Sequence, residues 1–448
     1  MHDTEAPKRT AVIAAVQLPK VNDVEHASNV AELGRLLKTL GYEVVGTVTQ
    51  RRDGLSAGAV FGGGKLVELA AYTGGSGIVE SAAPSAKPAD SDEQALPVIV
   101  DLPEDQPHAD VVVVDHEISP RQARNLERAT SAEVLDRTGV IVEIFHRHAS
   151  TREARLQVEI ARLSYVVPRL RAGVRGNDRQ RGGVGGKGAG ESSLELDRRK
   201  VRDRVSELRA ELAAIAREED NRRERRKSVN RVGLVGYTNA GKSSLMRALT
   251  GSEVYVENKL FATLGTTVRA LHPEVVPRIL ISDTVGFIKK LPHDLVASFR
   301  STLNEALEAS LLLYVVDCSD PDFQGQLEVT REVLTEIGAD VVPSRLVLNK
   351  IDQINALTHA ELTEAYPDAI MLSAHNPADV GTLHATLVSF FESRFEEAEI
   401  FVPYAEGRVL GEIRAAMKVL GDRYDAQGTH VRVLGPAAEV ARVKSLLA

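Results

Sequence analysis

The sequence predicts an α/β multidomain protein, and three observations carry that prediction. Apolar runs of strand length alternate with helical periodicity near the N-terminus and again from about residue 230 onward. Two charged helices, each with a single apolar stripe, lie between those stretches. A glycine-rich turn at residues 236–243 stands between a predicted strand and a predicted helix. At 448 residues the chain is too long for one hydrophobic core. With 43% apolar and 26% charged residues, it is neither disordered throughout nor fibrous. The lone cysteine, Cys318, excludes a disulfide framework and a Cys-based zinc site. Neither a signal peptide nor an apolar run of membrane-spanning length is visible, so the expected location is the cytoplasm, with partial membrane association left open.

The first domain is read as residues 1–144. Ala11 to Val16 and Tyr42 to Val48 are β runs, and Val30, Leu33, Leu36, Leu37 and Leu40 mark the helix between them. Val111 to Val114 is continuously apolar, as in a strand buried on both faces. Ser119 and Pro120 form a helix start, a cap followed by Pro at the first helical position. Residues 74–97, rich in Gly, Ser, Ala and Pro, are expected to be a disordered insertion.

Residues 145–227 read as a basic antiparallel helical hairpin. One stripe runs through Leu156, Ile160, Leu163, Val167 and Leu170, the other through Val201, Val205, Leu208, Leu212 and Ile215. Between them the loop 171–190 holds eight Gly together with Arg171, Arg175, Arg179, Arg181 and Lys187. The net charge of the chain is -8, yet these 83 residues carry 22 Lys/Arg against 13 Asp/Glu. A basic middle on an acidic protein points to a polyanion met at one place. A plain connector needs flexibility only; this loop adds positive charge, which favours a nucleic-acid contact.

From residue 228 to 395 the alternation resumes, with strands at Val232–Val235, Ile279–Ser282, Leu311–Val316, Leu346–Leu348 and Ala369–Leu372. Helical spacing between them implies a doubly wound, mostly parallel sheet. Residues 396–448, with strands at Ile400–Val402 and His430–Val433, form a small C-terminal α/β domain.

The chemistry concentrates in the third domain. Gly236, Tyr237, Thr238, Asn239, Ala240, Gly241, Lys242 and Ser243 match a P-loop, whose successive N–H groups cradle phosphates at a helix N-terminus. Lys242 reaches the β/γ oxygens and the Ser243 hydroxyl binds Mg²⁺. Asp283, Thr284, Val285 and Gly286 follow the next strand, placing a carboxylate to hold Mg²⁺ through water and an N–H to sense a γ-phosphate. Asn349, Lys350, Ile351 and Asp352 follow another. A carboxylate at Asp352 accepts from guanine N1–H and the exocyclic amino group, a donor pair that adenine lacks. Ser373, Ala374 and His375 complete the base pocket with a backbone N–H for the guanine carbonyl. Four motifs in order, each at the carboxyl end of a strand, read as a P-loop GTPase domain. Phe287 stands where many GTPases place a water-orienting Gln, so hydrolysis by the chain alone is expected to be slow.

Further strings in sequence order resemble the HflX family of ribosome-associated GTPases over nearly the whole chain. They are Phe61-Gly-Gly-Gly-Lys65, Asp115-His-Glu-Ile-Ser-Pro-Arg-Gln122, Asp136-Arg-Thr-Gly139, Arg155-Leu-Gln-Val-Glu159, Gly188-Ala-Gly-Glu191, Leu196-Asp-Arg-Arg199, Phe261-Ala-Thr-Leu264, Asp283-Thr-Val-Gly-Phe-Ile288 and Leu291-Pro-His. The resemblance implies that Phe261, Ala262, Thr263, Leu264 and Gly265 belong to switch I. It makes Thr263 a Mg²⁺ ligand beside Ser243 and Asp283, and a catalytic group with Lys242 and Gly286. It implies a chain, expected to be monomeric, that binds the large ribosomal subunit and its rRNA. The hairpin loop then points toward the peptidyl-transferase region, and GTP turnover to GDP serves stalled or idle ribosomes under stress. Expected stimulation by the large subunit follows. The family's reported N-terminal ATP binding has little support here, because Gly62 to Lys65 is too short for a P-loop and fits a tight turn before a helix. Gly265-Thr266 replaces the family's Asp-Pro, and Gly188-Ala189-Gly190 its Gly-Pro-Gly. Cys318 and His293 read as structural. The alternatives are a ribosome-assembly or RNA-remodelling NTPase and a passive, GTP-gated large-subunit binding protein.

Overall fold

The computed structural model describes residues 9–79, 108–170, 193–224, 230–252, 261, 267–289 and 306–447. Described residues up to Leu212 form one compact unit, and those from Ala213 onward a second.

In the first unit β1 (Thr10–Gln17), β2 (Glu43–Arg51), β3 (Val111–Val114) and β4 (Glu133–Asp136) make a parallel sheet in the order β2-β1-β3-β4. All four β3 valines are buried, which is why that strand reads as an unbroken apolar run. Along the chain lie α1 (Asp23–Thr39), α2 (Gly63–Thr73), α3 (Pro120–Thr130) and α4 (Arg137–His148). Their starts follow capping chemistry. Asn22 accepts from Glu25 N–H, Ser119 and Gln122 form a capping box, and Asp136 accepts from Gly139 N–H. Gly62 caps α2 and donates its N–H to Gln50 Oε1 at 3.0 Å, while Lys65 pairs with Glu68 at 2.6 Å. That string opens a helix, as the turn reading expects.

Residues 74–79, expected to belong to a disordered insertion, are ordered against α2 and α3. Gly74 closes α2 at φ +76°, and Gly77 N–H donates to Ala129 O at 2.8 Å. A Cβ on Gly75 would lie 2.3 Å from that same carbonyl, so glycine is what lets the turn pack against the end of α3. Residues 80–97 lie outside the described residues.

Charge is buried in this unit. Arg137 pairs with Asp115 at 2.7 Å and with Glu32, all three being almost fully enclosed. Asp136 also accepts from Tyr165 Oη at 2.8 Å and Arg169 Nη2 at 2.5 Å, both from α5 (Arg152–Leu170). The hairpin is α5 and α6 (Ser193–Glu224). Arg152 pairs with Glu211 and Arg204 with Glu159, each at 3.3 Å, so the two helices run antiparallel. Leu156, Ile160 and Leu208 are buried on the expected stripes. The loop 171–190 lies outside the described residues.

In the second unit six strands take the order β10-β9-β8-β5-β7-β6. They are β5 (Asn230–Val235), β6 (Thr267–Ala270), β7 (Ile279–Asp283), β8 (Leu311–Asp317), β9 (Ser344–Asn349) and β10 (Ile370–Leu372). All pairs are parallel except β6 with β7, an antiparallel edge the sequence reading did not include. Helices α7 (Lys242–Thr250), α8 (Phe323–Glu336), α9 (Ala356–Ala365) and α10 (Pro377–Glu392) belong to this fold. The C-terminal part holds β11 (Glu396–Pro403), α11 (Gly407–Ala416), β12 (Lys418–Tyr424), β13 (Gly428–Gly435) and α12 (Ala437–Leu446), with an antiparallel sheet ordered β11-β13-β12. β12 is a further strand beyond the two expected there.

Candidate active site

Because β5, β7, β8, β9 and β10 are parallel, the residues that follow them gather at one sheet edge. From β5 the chain goes toward β6 and β7 on one side of the sheet, and from β8 toward β9 and β10 on the other. The strand order thus switches between β5 and β8, where ligands of open α/β sheets bind. Gly236 follows β5 directly.

Gly236 has φ +152°, and a Cβ there would meet Val315 O at 2.2 Å. Gly241 has φ +94°, with Asn349 Nδ2 2.2 Å from where a Cβ would be. Only glycine fits either place. Asn239 takes φ +63°, a conformation its short amide side chain tolerates. α7 begins at Lys242 with no side-chain cap on its N-terminus, which leaves that end suited to an anion.

Lys242 is buried, and its Nζ donates to Gly236 O at 3.0 Å and Tyr237 O at 2.8 Å. Burial pulls its pKa down to about 8, against the opposing pull of Asp283. Ser243 Oγ donates to Asp283 Oδ2 at 2.6 Å. A hydroxyl and a buried carboxylate thus share one spot, both hard oxygen donors of the kind Mg²⁺ takes. Thr284 donates its hydroxyl to Leu234 O at 2.8 Å, and Val285 is buried. Gly286 sits so close to the P-loop that a Cβ would meet Thr238 Cγ2 at 2.9 Å and Lys242 Nζ at 3.0 Å.

Phe287 is 2% exposed and pairs its backbone with the P-loop. Thr238 N–H donates to Phe287 O at 2.8 Å and Phe287 N–H to Gly236 O at 3.1 Å. Lys289 N–H donates to Tyr237 Oη at 2.7 Å. The apolar ring is packed inward and offers water nothing to bind.

Asn349 ties the base side together. Its Nδ2 donates to Ala240 O at 2.8 Å, and its Oδ1 accepts from Ala374 N–H at 3.0 Å. Lys350 has φ +66° and pairs with Asp317 at 2.6 Å. Ile351 and Asp352 open a short 3-10 turn, with the Asp352 side exposed. Ser373 N–H donates to Asp379 Oδ2 at 2.8 Å, and the exposed His375 donates its N–H to Ser373 Oγ at 3.3 Å. Cys318 donates from Sγ to Asn349 O at 3.0 Å, and burial raises its pKa to about 11. It is a packing residue.

The structure therefore brings together the P-loop, Asp283–Gly286, Asn349–Asp352 and Ser373–His375. Phe261 is buried at φ +59°. Ala262, Thr263, Leu264, Gly265 and His293 lie outside the described residues. Sequence reasoning missed Asp317 and Asp379, which fix Lys350 and the Ser373 loop. Asp317 had a signal, a carboxylate directly after a buried apolar strand; Asp379 had none outside the folded contact.

Sheet, phosphate loop and guanine-type base loop define a P-loop GTPase. Comparison with known proteins gives the family. The family described as GTP-binding GTPase N-terminal matches residues 27–79 and 98–146, GTP-binding GTPase Middle Region matches 148–226, and 50S ribosome-binding GTPase matches 231–350. GTPase HflX of Gluconacetobacter diazotrophicus is 59% identical, covering 100% of this chain and 99% of its own. GTPase HflX of Escherichia coli (strain K12) is 35% identical over 91% and 89%. A solved GTP-binding protein from Sulfolobus solfataricus in complex with GDP aligns over 85% of this chain and 99% of its own, at 22% identity and TM-score 0.41. The chain belongs to the HflX family of GTPases, and it is a GTP hydrolase.

Proposed function

We propose that this GTPase binds the large ribosomal subunit and uses GTP binding and hydrolysis to act on stalled or idle ribosomes. The observation that carries this reading is that a chain with a GTP site also has, in the sequence between the antiparallel helices α5 and α6, a glycine-rich stretch with five basic residues. Arginine and lysine side chains in such a stretch can neutralise rRNA phosphates. The family description 50S ribosome-binding GTPase supports the same partner.

In the GTP site, Ser243 and Asp283, with Thr263, would hold Mg²⁺, which supplies charge neutralisation at the β- and γ-phosphates when bound. The P-loop N–H groups and Lys242 hold the phosphates, Gly286 reads the γ-phosphate, and Asp352 selects guanine. Phe287 cannot orient water, so the large subunit would complete the site. Sedimentation of intact ribosomes with the full chain and a non-hydrolysable GTP analogue tests the reading. Co-sedimentation with the large subunit that needs the analogue is expected; co-migration indifferent to nucleotide would refute a GTP-controlled act.

A further inference from the structure

Among the hydroxyls around the phosphate loop, Thr238 is different. Ser243 donates to Asp283, Thr284 to Leu234 O, and Tyr237 Oη accepts from Lys289 N–H. Thr238 is 7% exposed, and its Oγ1 is enclosed with no hydrogen-bond partner among the described residues. Buried hydroxyls nearly always have a partner, so this one calls for an explanation. Its place is well fixed. Its own N–H is held by Phe287 O at 2.8 Å, and its Cγ2 packs on Gly286. Lys242 Nζ approaches the same point of Gly286. Thr238 Cγ2 and Lys242 Nζ thus meet at Gly286, where the loop would meet the terminal phosphate of the nucleotide, and Oγ1 is carried on the same Cβ as that methyl.

We propose that Thr238 Oγ1 contacts the γ-phosphoryl group of GTP, donating a hydrogen bond to one of its oxygens while accepting one from the attacking water. A hydroxyl has one donor and two acceptor positions, enough for both bonds at once. The water oxygen bonds to the γ-phosphorus as the bond from that phosphorus to the β–γ bridging oxygen breaks. The electron pair leaves on GDP, and the water protons pass to phosphate and solvent. Thr238 orients and gives up no atom. It supplies part of what Phe287, packed inward, cannot. The inference rests on the GTP site described above and deepens it: this hydroxyl distinguishes GTP from GDP, which lacks its partner group.

The test uses the full chain with Thr238→Val, which keeps the shape without the hydroxyl, and Thr238→Ser, which restores it. Single-turnover GTP hydrolysis, affinities for GDP and a non-hydrolysable GTP analogue, and thermal midpoints in nucleotide-stripped protein are measured. Thr238→Val should hydrolyse about tenfold more slowly, the rate equivalent of about 1.4 kcal/mol. It should bind the analogue more weakly, keep its GDP affinity and show no loss of thermal midpoint; Thr238→Ser should recover the rate. Equal hydrolysis and analogue affinity in Thr238→Val and wild type would overturn the proposal. So would a parallel loss of GDP affinity, analogue affinity and thermal midpoint, which would make the hydroxyl structural and leave the GTP-site assignment standing.

Discussion

In the first unit the parallel strands β3 and β4 run into Asp115 and Asp136; in the second, β7, β8 and β9 end at Asp283, Asp317 and Asn349. Both sheets gather polar residues at the same edge, and they use them differently. Asp115 and Glu32 are spent on Arg137, and Asp136 on Gly139, Tyr165 and Arg169. Helices α1, α3 and α4 each have a side-chain cap, while α2 starts on Gly62 and gives its cap N–H to Gln50. In the second unit α7 starts on Gly241 without one, Asp352 stands exposed, and Thr238 Oγ1 has no partner among the described residues. At the strand ends of the first unit the carboxylates are taken up by Arg137 and Arg169, whereas the phosphate loop of the second leaves an uncapped helix N-terminus and a hydroxyl over, as a place for a ligand would. Sheet topology alone does not separate the two cases.

The sharpest way to break the comparison is to unbalance the self-satisfied edge. Arg137→Met leaves two buried carboxylates without their shared cation, a change that costs about 3–5 kcal/mol. Denaturant unfolding should show the first unit losing that amount, while GTP hydrolysis by the folded protein stays within a few-fold of wild type. A stable first unit with lost hydrolysis would invert the assignment of the two edges. Asp352→Asn should leave stability alone and weaken GTP by about 1.5–3 kcal/mol for each charge-assisted hydrogen bond lost. Preference should move toward xanthine nucleotides, since an amide puts a donor where guanine needs an acceptor. Competition binding of GTP against XTP reads this directly.

Lys242 gives a pH test of intermediate size. Its pKa of about 8 is depressed by burial, and bound phosphates favour the ammonium, so binding raises it. Above pH 8 each binding event must therefore take up a proton. GDP affinity should be flat below that pH and fall above it, by up to about tenfold per unit. Calorimetry at pH 9 in two buffers of different ionisation enthalpy should show the uptake, and Lys242→Met should abolish it.

The smallest expected effect lies in the loop 171–190. Replacing Arg171, Arg175, Arg179, Arg181 and Lys187 by Ser should weaken large-subunit binding. It should flatten the slope of log K against log salt by up to about 0.9 per phosphate contact, the duplex-DNA value taken as a guide. GTP affinity should not change. Equal slopes would move the contact onto the helices, with Arg198, Arg199 and Lys200 the next residues to replace.

Much of this architecture was legible before folding. β3 and β5 announce themselves as apolar runs, the Ser119-Pro120 start as capping chemistry, and the P-loop and Asn349–Asp352 as motifs at strand ends. What escaped has physical reasons. β6 is four residues on a sheet edge with no residue fully buried, and β12 is almost wholly exposed and interrupted between Val419 and Gly421, so neither shows an apolar pattern. The Arg137 network joins residues 105 and 22 positions apart, which no local spacing reveals. The inward packing of Phe287 and the enclosed Thr238 hydroxyl depend on a bridge between two distant loops, Tyr237 with Phe287.

The central proposal is that this site is assembled for GTP, lacks a water-orienting side chain at Phe287 and would be completed by the large ribosomal subunit. Single-turnover GTP hydrolysis by the full chain, with and without purified large subunits, tests it most directly. The account predicts slow turnover alone and a rise of about a hundredfold or more with large subunits, roughly 2.7 kcal/mol of barrier. A rate that large subunits leave unchanged would contradict it.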